Sequence, residues 1–110
     1  MNVPPIHKEL ADGRWRALSL AEQLGNIGSE VGRAGRAQGQ DDAHFYGAVD
    51  RALELFHLTL ADPRWRGRLR EIGRAYEVFC DAVLDGMEYG SSFADLERYL
   101  MQFAMAARRK

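Results

Sequence analysis

Residues 25–39, GNIGSEVGRAGRAQG, contain five glycines but keep the apolar spacing of an α-helix. At about 100° of rotation per residue, Leu24, Ile27 and Val31 share one face, and the glycines fill an adjacent one. Each interior glycine costs a helix about 1 kcal/mol relative to alanine, so something must offset the loss. We therefore predict that another backbone approaches closely, within the protomer or across a dimer contact. The packing residues are Gly25, Gly28, Gly32 and Gly35.

The opposite side of the same helix carries polar residues, among them Glu22, Glu30 and Arg33, which we expect to face solvent. Ser19 followed by Glu22 is a capping-box pattern, which places the start of the helix. Three chemically distinct faces would not separate in this way in a loop. The segment also lacks the Lys-Ser/Thr that completes a phosphate-binding loop.

The rest of the chain has helical periodicity, and no useful length of it alternates as a β-strand does. Asp62-Pro63 gives a cap followed by proline at a first helical position. We predict an all-α fold, an antiparallel four-helix bundle formed by residues 17–110, behind an extended or short-helical arm, residues 1–16. The helices are expected at about 19–38, 43–60, 63–85 and 93–108.

Two similar segments, Ala11-Asp-Gly-Arg-Trp-Arg16 and Ala61-Asp-Pro-Arg-Trp-Arg66, begin 50 residues apart. If they record a duplication, the bundle consists of two related helical hairpins. The similarity ends after six residues, so chance repetition remains an equal explanation. In that case each tryptophan simply covers an end of the bundle.

The composition excludes several classes of protein. The net charge is −1, so no overall field attracts the chain to nucleic acid or to a membrane. The single cysteine, Cys80, excludes an internal disulfide, and its place on an apolar helix face predicts a core residue. The N-terminus has no signal-peptide pattern, and no apolar run reaches the roughly 20 residues of a membrane span. We expect a cytoplasmic protein.

Residues 63–74, PRWRGRLREIGR, carry five arginines against one glutamate. On one helix, Arg66, Arg70 and Arg74 would align every four residues and repel one another by a few tenths of a kcal/mol per pair. A basic row beside Trp65 is what phosphate contacts and base stacking require. We expect it to bind an anionic partner, with RNA slightly ahead of an acidic protein. The binding residues are Arg64, Arg66, Arg68, Arg70 and Arg74.

An opposing interpretation is that Asp50 and Glu54 of the preceding helix neutralise these arginines. The row would then be structural. The protein would be an accessory or interaction subunit that acts through its apolar surface.

The segment Arg51-Ala-Leu-Glu-Leu-Phe-His57 resembles the Arg-x4–6-His motif of HEPN domains, which are small all-α dimers. Many HEPN domains are metal-independent ribonucleases. The resemblance implies that Arg51 and His57 would act on the 2′-hydroxyl and the scissile phosphate. Ala52 stands where the family usually has a polar residue, and the two side chains would lie about 120° apart on the helix.

Glu54-Leu-Phe-His57 also has the Glu-x-x-His spacing of di-iron bundles. Such a site needs a second pair and two further glutamates that point into the core, and the sequence offers neither. We predict no metal, no cofactor and no catalytic residue.

The chain also resembles a group of short bacterial and archaeal proteins to which no activity is assigned. The similar segments are 18–34, 51–55, 62–64, 88–92 and 103–108. This resemblance implies an all-helical family fold and transfers no function. We expect a homodimeric binding module rather than an enzyme, with the HEPN-like ribonuclease and the structural subunit as alternatives.

Overall fold

The structure, a computed structural model, describes residues 13–86, 90 and 92–108, except the side chains of residues 107 and 108. The predicted all-α four-helix bundle is confirmed, and no strand occurs in the described part of the chain. Most of the predicted N-terminal arm lies outside the described residues. The helices are α1 (Leu20–Ala37), α2 (Asp42–Leu60), α3 (Leu69–Val83) and α4 (Phe93–Arg108), with short 3-10 helices at Trp15–Ala17 and Pro63–Arg68.

Side-chain caps start three of the four helices. The predicted capping box of α1 is confirmed, because Glu22 N donates to Ser19 Oγ and Ser19 N donates to Glu22 Oε1. Asp41 accepts from His44 N at the start of α2, at 3.1 Å. Ser92 accepts from Asp95 N at 3.2 Å at the start of α4. Each cap satisfies a backbone donor that the first turn leaves unpaired.

Helix α1 is the central element of the bundle, since it packs along the length of both α2 and α4. Its apolar face is fully buried at Ile27, Val31 and Ala34. Helix α3 completes the core more loosely, against α2 and α4. Four phenylalanine rings of the core contact one another edge-on or tilted, with centroids 5.6–5.9 Å apart. These rings belong to Phe45, Phe56, Phe79 and Phe93.

The glycine face of α1 packs against α4 within the protomer. A Cβ on Gly25 would lie 2.5 Å from Ala104 Cβ, and one on Gly35 would lie 2.9 Å from Phe93 Cβ. Between them, a Cβ on Gly28 would lie 3.0 Å from Leu100 Cβ. Because residue numbers rise along α1 as they fall along α4, the two helices are antiparallel.

The fourth glycine, Gly32, differs in what it faces. A Cβ there would overlap the carboxylate of Glu97 rather than a backbone or a Cβ atom. A flexible side chain can move away, so Gly32 is the least demanding position of the four.

The predicted helix 63–85 is divided in the structure. Residues Pro63–Arg68 form a 3-10 helix, and Trp65 inside it has the non-helical angles φ −103° and ψ 22°. Because the side chains of Arg64 and Trp65 are both held by buried polar groups, described below, the chain turns here before α3 begins. At its other end, α3 stops at Val83, and Gly86 takes a positive φ of 70°.

Alanine at Gly25 should destabilise the protein by about 1–3 kcal/mol, because its methyl group would overlap Ala104. The matched control is Gly73→Ala in α3, where a Cβ meets no atom within 4 Å. That variant should gain about 1 kcal/mol from helix propensity. Urea unfolding measures both, and equal effects of the two substitutions would contradict the packing assignment.

Candidate functional site

The five arginines of residues 64–74 (Arg64, Arg66, Arg68, Arg70 and Arg74) form the arginine row. It is anchored by a buried polar cluster around Gln23, which is 0% exposed. Gln23 Nε2 donates to the carbonyl oxygen of Trp15 at 2.9 Å. Its Oε1 accepts from the indole Nε1 of Trp65, also at 2.9 Å. One amide therefore ties the N-terminal 3-10 helix and the Pro63–Arg68 segment to the start of α1.

The tryptophans of the two similar segments lie at the same end of the bundle but have different surroundings. Trp15 is buried and donates its indole N–H to Thr59 Oγ1 at 3.0 Å. Trp65 is only partly buried and donates to Gln23. Their partners are not related by the 50-residue offset, so the described contacts give no support to a duplicated hairpin.

Asp62 and Arg64 form the charged part of this cluster. Asp62 is 2% exposed and accepts from Arg64 Nη2 at 2.7 Å and from the Arg64 backbone N at 3.0 Å. The Arg64 side-chain hydrogen bonds lower the pKa of Asp62 to about 2, against the opposing effect of burial. Arg64 also donates to Leu18 O at 2.9 Å and lies over the Trp65 ring at 4.4 Å from its centroid.

These contacts commit Arg64 and Trp65 to the fold. The Arg64 guanidinium is shared between a buried carboxylate, a backbone carbonyl and an aromatic ring. One face of the Trp65 indole is covered by that guanidinium, and its N–H is bonded to Gln23. Both side chains therefore have partners within the fold, while Arg64 stays exposed and Trp65 partly exposed.

The other arginines remain at the surface. Arg66, Arg70 and Arg74 are exposed, and no ion pair among the described residues includes any of them. The expected neutralisation by Asp50 and Glu54 is therefore not seen for these three. Arg68 Nε pairs with Glu71 at 3.1 Å, but both side chains are largely exposed, where such a pair contributes little.

A surface groove of about 620 Å³ runs along this part of the chain. Two glycines, Gly67 and Gly73, leave it open because a Cβ at either position would meet nothing within 4 Å. Leu69 adds an apolar surface and is 42% exposed. The lining residues are Gly67, Arg68, Leu69, Arg70, Glu71, Gly73, Arg74 and Glu77.

The two residues of the HEPN-like motif are held by different helices. Arg51 Nε donates to Glu30 Oε2 of α1 at 2.6 Å, and Arg33 pairs with the same carboxylate. His57 Nε2 lies 3.1 Å from the Tyr76 hydroxyl of α3, whose pKa is raised by burial and by Cys80. Within one protomer, Arg51 and His57 therefore do not converge on a common point.

Glu30 corrects one expectation from the sequence. Predicted to face solvent, it is 4% exposed. The reason is that Arg51 and Arg33 approach it from two sides and neutralise its charge, which makes burial tolerable. Cys80, expected in the core, is half-buried and free.

The described residues contain no cluster of three or more His, Cys, Asp or Glu side chains that could hold a metal ion. Within the same residues, no helix is long and apolar enough to cross a membrane.

Sequence reasoning missed the residues that position the arginine row. Gln23 and Thr59 lie on largely apolar helix faces, where a polar side chain signals a buried hydrogen bond. Asp62 was recognised as a cap, and it does accept from the Arg64 backbone N. Its second role, as the buried partner of the Arg64 side chain, has no signature in the sequence.

Comparison with known proteins gives no relative from which a function could be transferred. No protein-family model, no curated protein and no solved structure matches the chain. The resemblances noted in the sequence analysis therefore stay predictions, and the function must be argued from the chain's own surface.

Asp62 should make the protein sensitive to acid. Because folding lowers its pKa to about 2, its contribution to stability is complete above pH 5 and is lost as the pH falls from about 4 to 2. Asp62→Asn should therefore cost about 1–2 kcal/mol at pH 7, and this difference should shrink with falling pH.

The matched control is Asp50→Asn, which changes an exposed carboxylate of α2. Urea midpoints of the three proteins at several pH values measure the effect. A difference between wild type and Asp62→Asn that does not depend on pH would refute the assigned role of Asp62.

Proposed function

We propose that the protein is a small, non-enzymatic binding module that contacts an acidic segment of another protein through Arg66, Arg70 and Arg74. The observation that carries this proposal is that these three exposed guanidinium groups have no counter-ion among the described residues. Arg70 and Arg74 lie one turn apart on α3, where their mutual repulsion lowers stability. An acidic partner would relieve that repulsion.

The surroundings of the row favour a protein over RNA. Base stacking needs an accessible aromatic face, but Arg64 covers one face of the Trp65 indole and Gln23 binds its N–H. Glu71 and Glu77 line the same groove as Arg70 and Arg74, so any anionic partner must place its charges at the arginines.

The exposed Leu69 between the arginines supports the same choice. Protein interfaces combine apolar contact with a rim of polar and charged groups, and arginine is enriched in them. A purely electrostatic surface for nucleic acid would gain nothing from an exposed leucine. The homodimer expected from the sequence remains a proposal as well, and the glycine face, one candidate for its contact, is already covered by α4.

Charge reversal at Arg70 tests the function. The probe is a fluorescein-labelled 20-residue oligoglutamate, titrated with wild type and Arg70→Glu by fluorescence anisotropy at low and moderate salt. We expect salt-sensitive binding by wild type and a loss of about tenfold or more in the variant, because a like charge would then face the probe.

Arg36→Glu is the matched control, since it makes the same change of charge at the far end of α1. Arg36 is exposed, and its pair with Glu97 is long, at 3.5 Å. The Arg36→Glu variant should bind the oligoglutamate probe as wild type does. The proposal fails if the probe does not bind at low salt or if the two variants weaken binding equally.

A parallel titration with labelled, mixed-sequence single-stranded RNA distinguishes the other functions. Tighter binding of RNA than of oligoglutamate would make nucleic acid the partner. Three phosphate contacts would then give a salt slope of about −2 in the logarithmic plot. Cleavage of the RNA in the presence of chelator, lost in His57→Ala, would establish the HEPN-like ribonuclease instead.

A further inference from the structure

A second groove lies between α3 and α4, beside the arginine row. Its volume is about 410 Å³, and most of its lining is apolar. The apolar part is formed by Ala75 and Val78 of α3 and by Leu96 and Tyr99 of α4. Ala75 is a small side chain, and α3 packs less closely than α1 does, so the two helices leave a depression open to solvent.

The charges at the edge of this groove are not balanced. Two carboxylates line it, but Glu71 is paired with Arg68 and Asp95 is paired with Arg98. Arg74 lines it as well and has no ion pair among the described residues. The groove is therefore an apolar surface edged by two ion-paired carboxylates and by Arg74, which also lines the groove of the arginine row.

Tyr99 forms the exposed wall of the groove. It is 42% exposed, and its ring contacts Phe103 edge-on at 5.5 Å between centroids. Its hydroxyl lies 3.5 Å from Glu71 Oε1, and partial burial together with that carboxylate raises the pKa of Tyr99. The side chain is thus an uncharged aromatic surface at neutral pH, packed edge-on against a second ring.

We propose that the groove between α3 and α4 receives the apolar side chains of an amphipathic acidic helix, whose carboxylates contact Arg70 and Arg74. This inference rests on the proposed function and specifies the partner. Charge complementarity selects an acidic partner, and the apolar floor selects one that also presents hydrophobic side chains. Helices of this kind bind in grooves by residues spaced three or four apart.

The dimensions of the groove set the length of the contact. Its lining extends along α3 from Glu71 to Val78, which corresponds to about 10 Å, or two helical turns, at 1.5 Å per residue. Two apolar side chains of the partner, four residues apart, fit that length. Acidic residues on the flank of the partner helix would then face the arginines of α3.

The experiment compares three labelled 16-residue peptides with one another by fluorescence anisotropy. The first is helical and amphipathic, with leucines at i and i+4 among glutamates and alanines. The second has the same composition with its leucines distributed around the helix, and the third is oligoglutamate. We expect the first to bind at least tenfold more tightly than the other two.

Tyr99→Ala removes the wall of the groove and should weaken binding of the amphipathic peptide by about tenfold, while leaving oligoglutamate unaffected. Tyr46→Ala is the matched control, because Tyr46 is a 61% exposed tyrosine on α2 that lines neither groove. It should bind as wild type does. If Tyr99→Ala loses its helical circular dichroism, Val78→Thr, similar in shape but more polar, replaces it.

The outcomes separate the two proposals. Equal binding of all three peptides, with no effect of Tyr99→Ala, would contradict binding in the groove. A loss of binding in Arg70→Glu would still support the function proposed for the arginine row. Loss of all binding would overturn both. If the protein sediments as a dimer and Tyr99→Ala makes it monomeric, the groove is occupied by a second copy and the inference is wrong.

Discussion

The fold depends above all on the close approach of α1 and α4 along the glycine face. Gly25, Gly28 and Gly35 meet Cβ atoms of α4 at distances that leave no room for a side chain on α1. The contact gives up helix propensity in α1 and gains close backbone packing in return. With α4 held against α1 in this way, α3 is the loosest element, and both grooves of the candidate site lie along it.

The second constraint is the polar cluster around Gln23, near the start of α1. Gln23 is fully buried and forms hydrogen bonds with the Trp15 carbonyl and the Trp65 indole, which belong to two separate segments. The buried Asp62 carboxylate binds the Arg64 guanidinium. A half-satisfied cluster of this kind would cost several kcal/mol, so its geometry is well determined. It fixes the short 3-10 helix from which α3 begins. The exposed arginines therefore project from a rigid support rather than from a mobile loop, which lowers the entropy lost on binding.

Much of the fold was predictable, because it follows from local rules. The spacing of apolar residues indicated all four helices, and Ser19 with Glu22 marked where the first of them starts. The candidate site was predictable only in part. Arg64 and Trp65 look like binding residues in the sequence, yet both also hold the fold together, Arg64 through Asp62 two residues away and Trp65 through Gln23 in α1. The four-residue spacing of Arg66, Arg70 and Arg74 sets them apart in the sequence, but it does not reveal that they have no ion pair among the described residues.

The sequence by itself determined that this chain is helical, where three of its four helices begin and that one helix must pack closely against another backbone. These properties depend on residues within a few positions of one another, through periodicity, capping and propensity. Only the tertiary structure decided which helix covers the glycines, that the predicted third helix begins with a 3-10 turn, and which arginines have no counter-ion among the described residues. Those outcomes depend on contacts between residues 40 or more positions apart, such as Gln23 with Trp65. No local pattern encodes such contacts, because they exist only once the helices have packed.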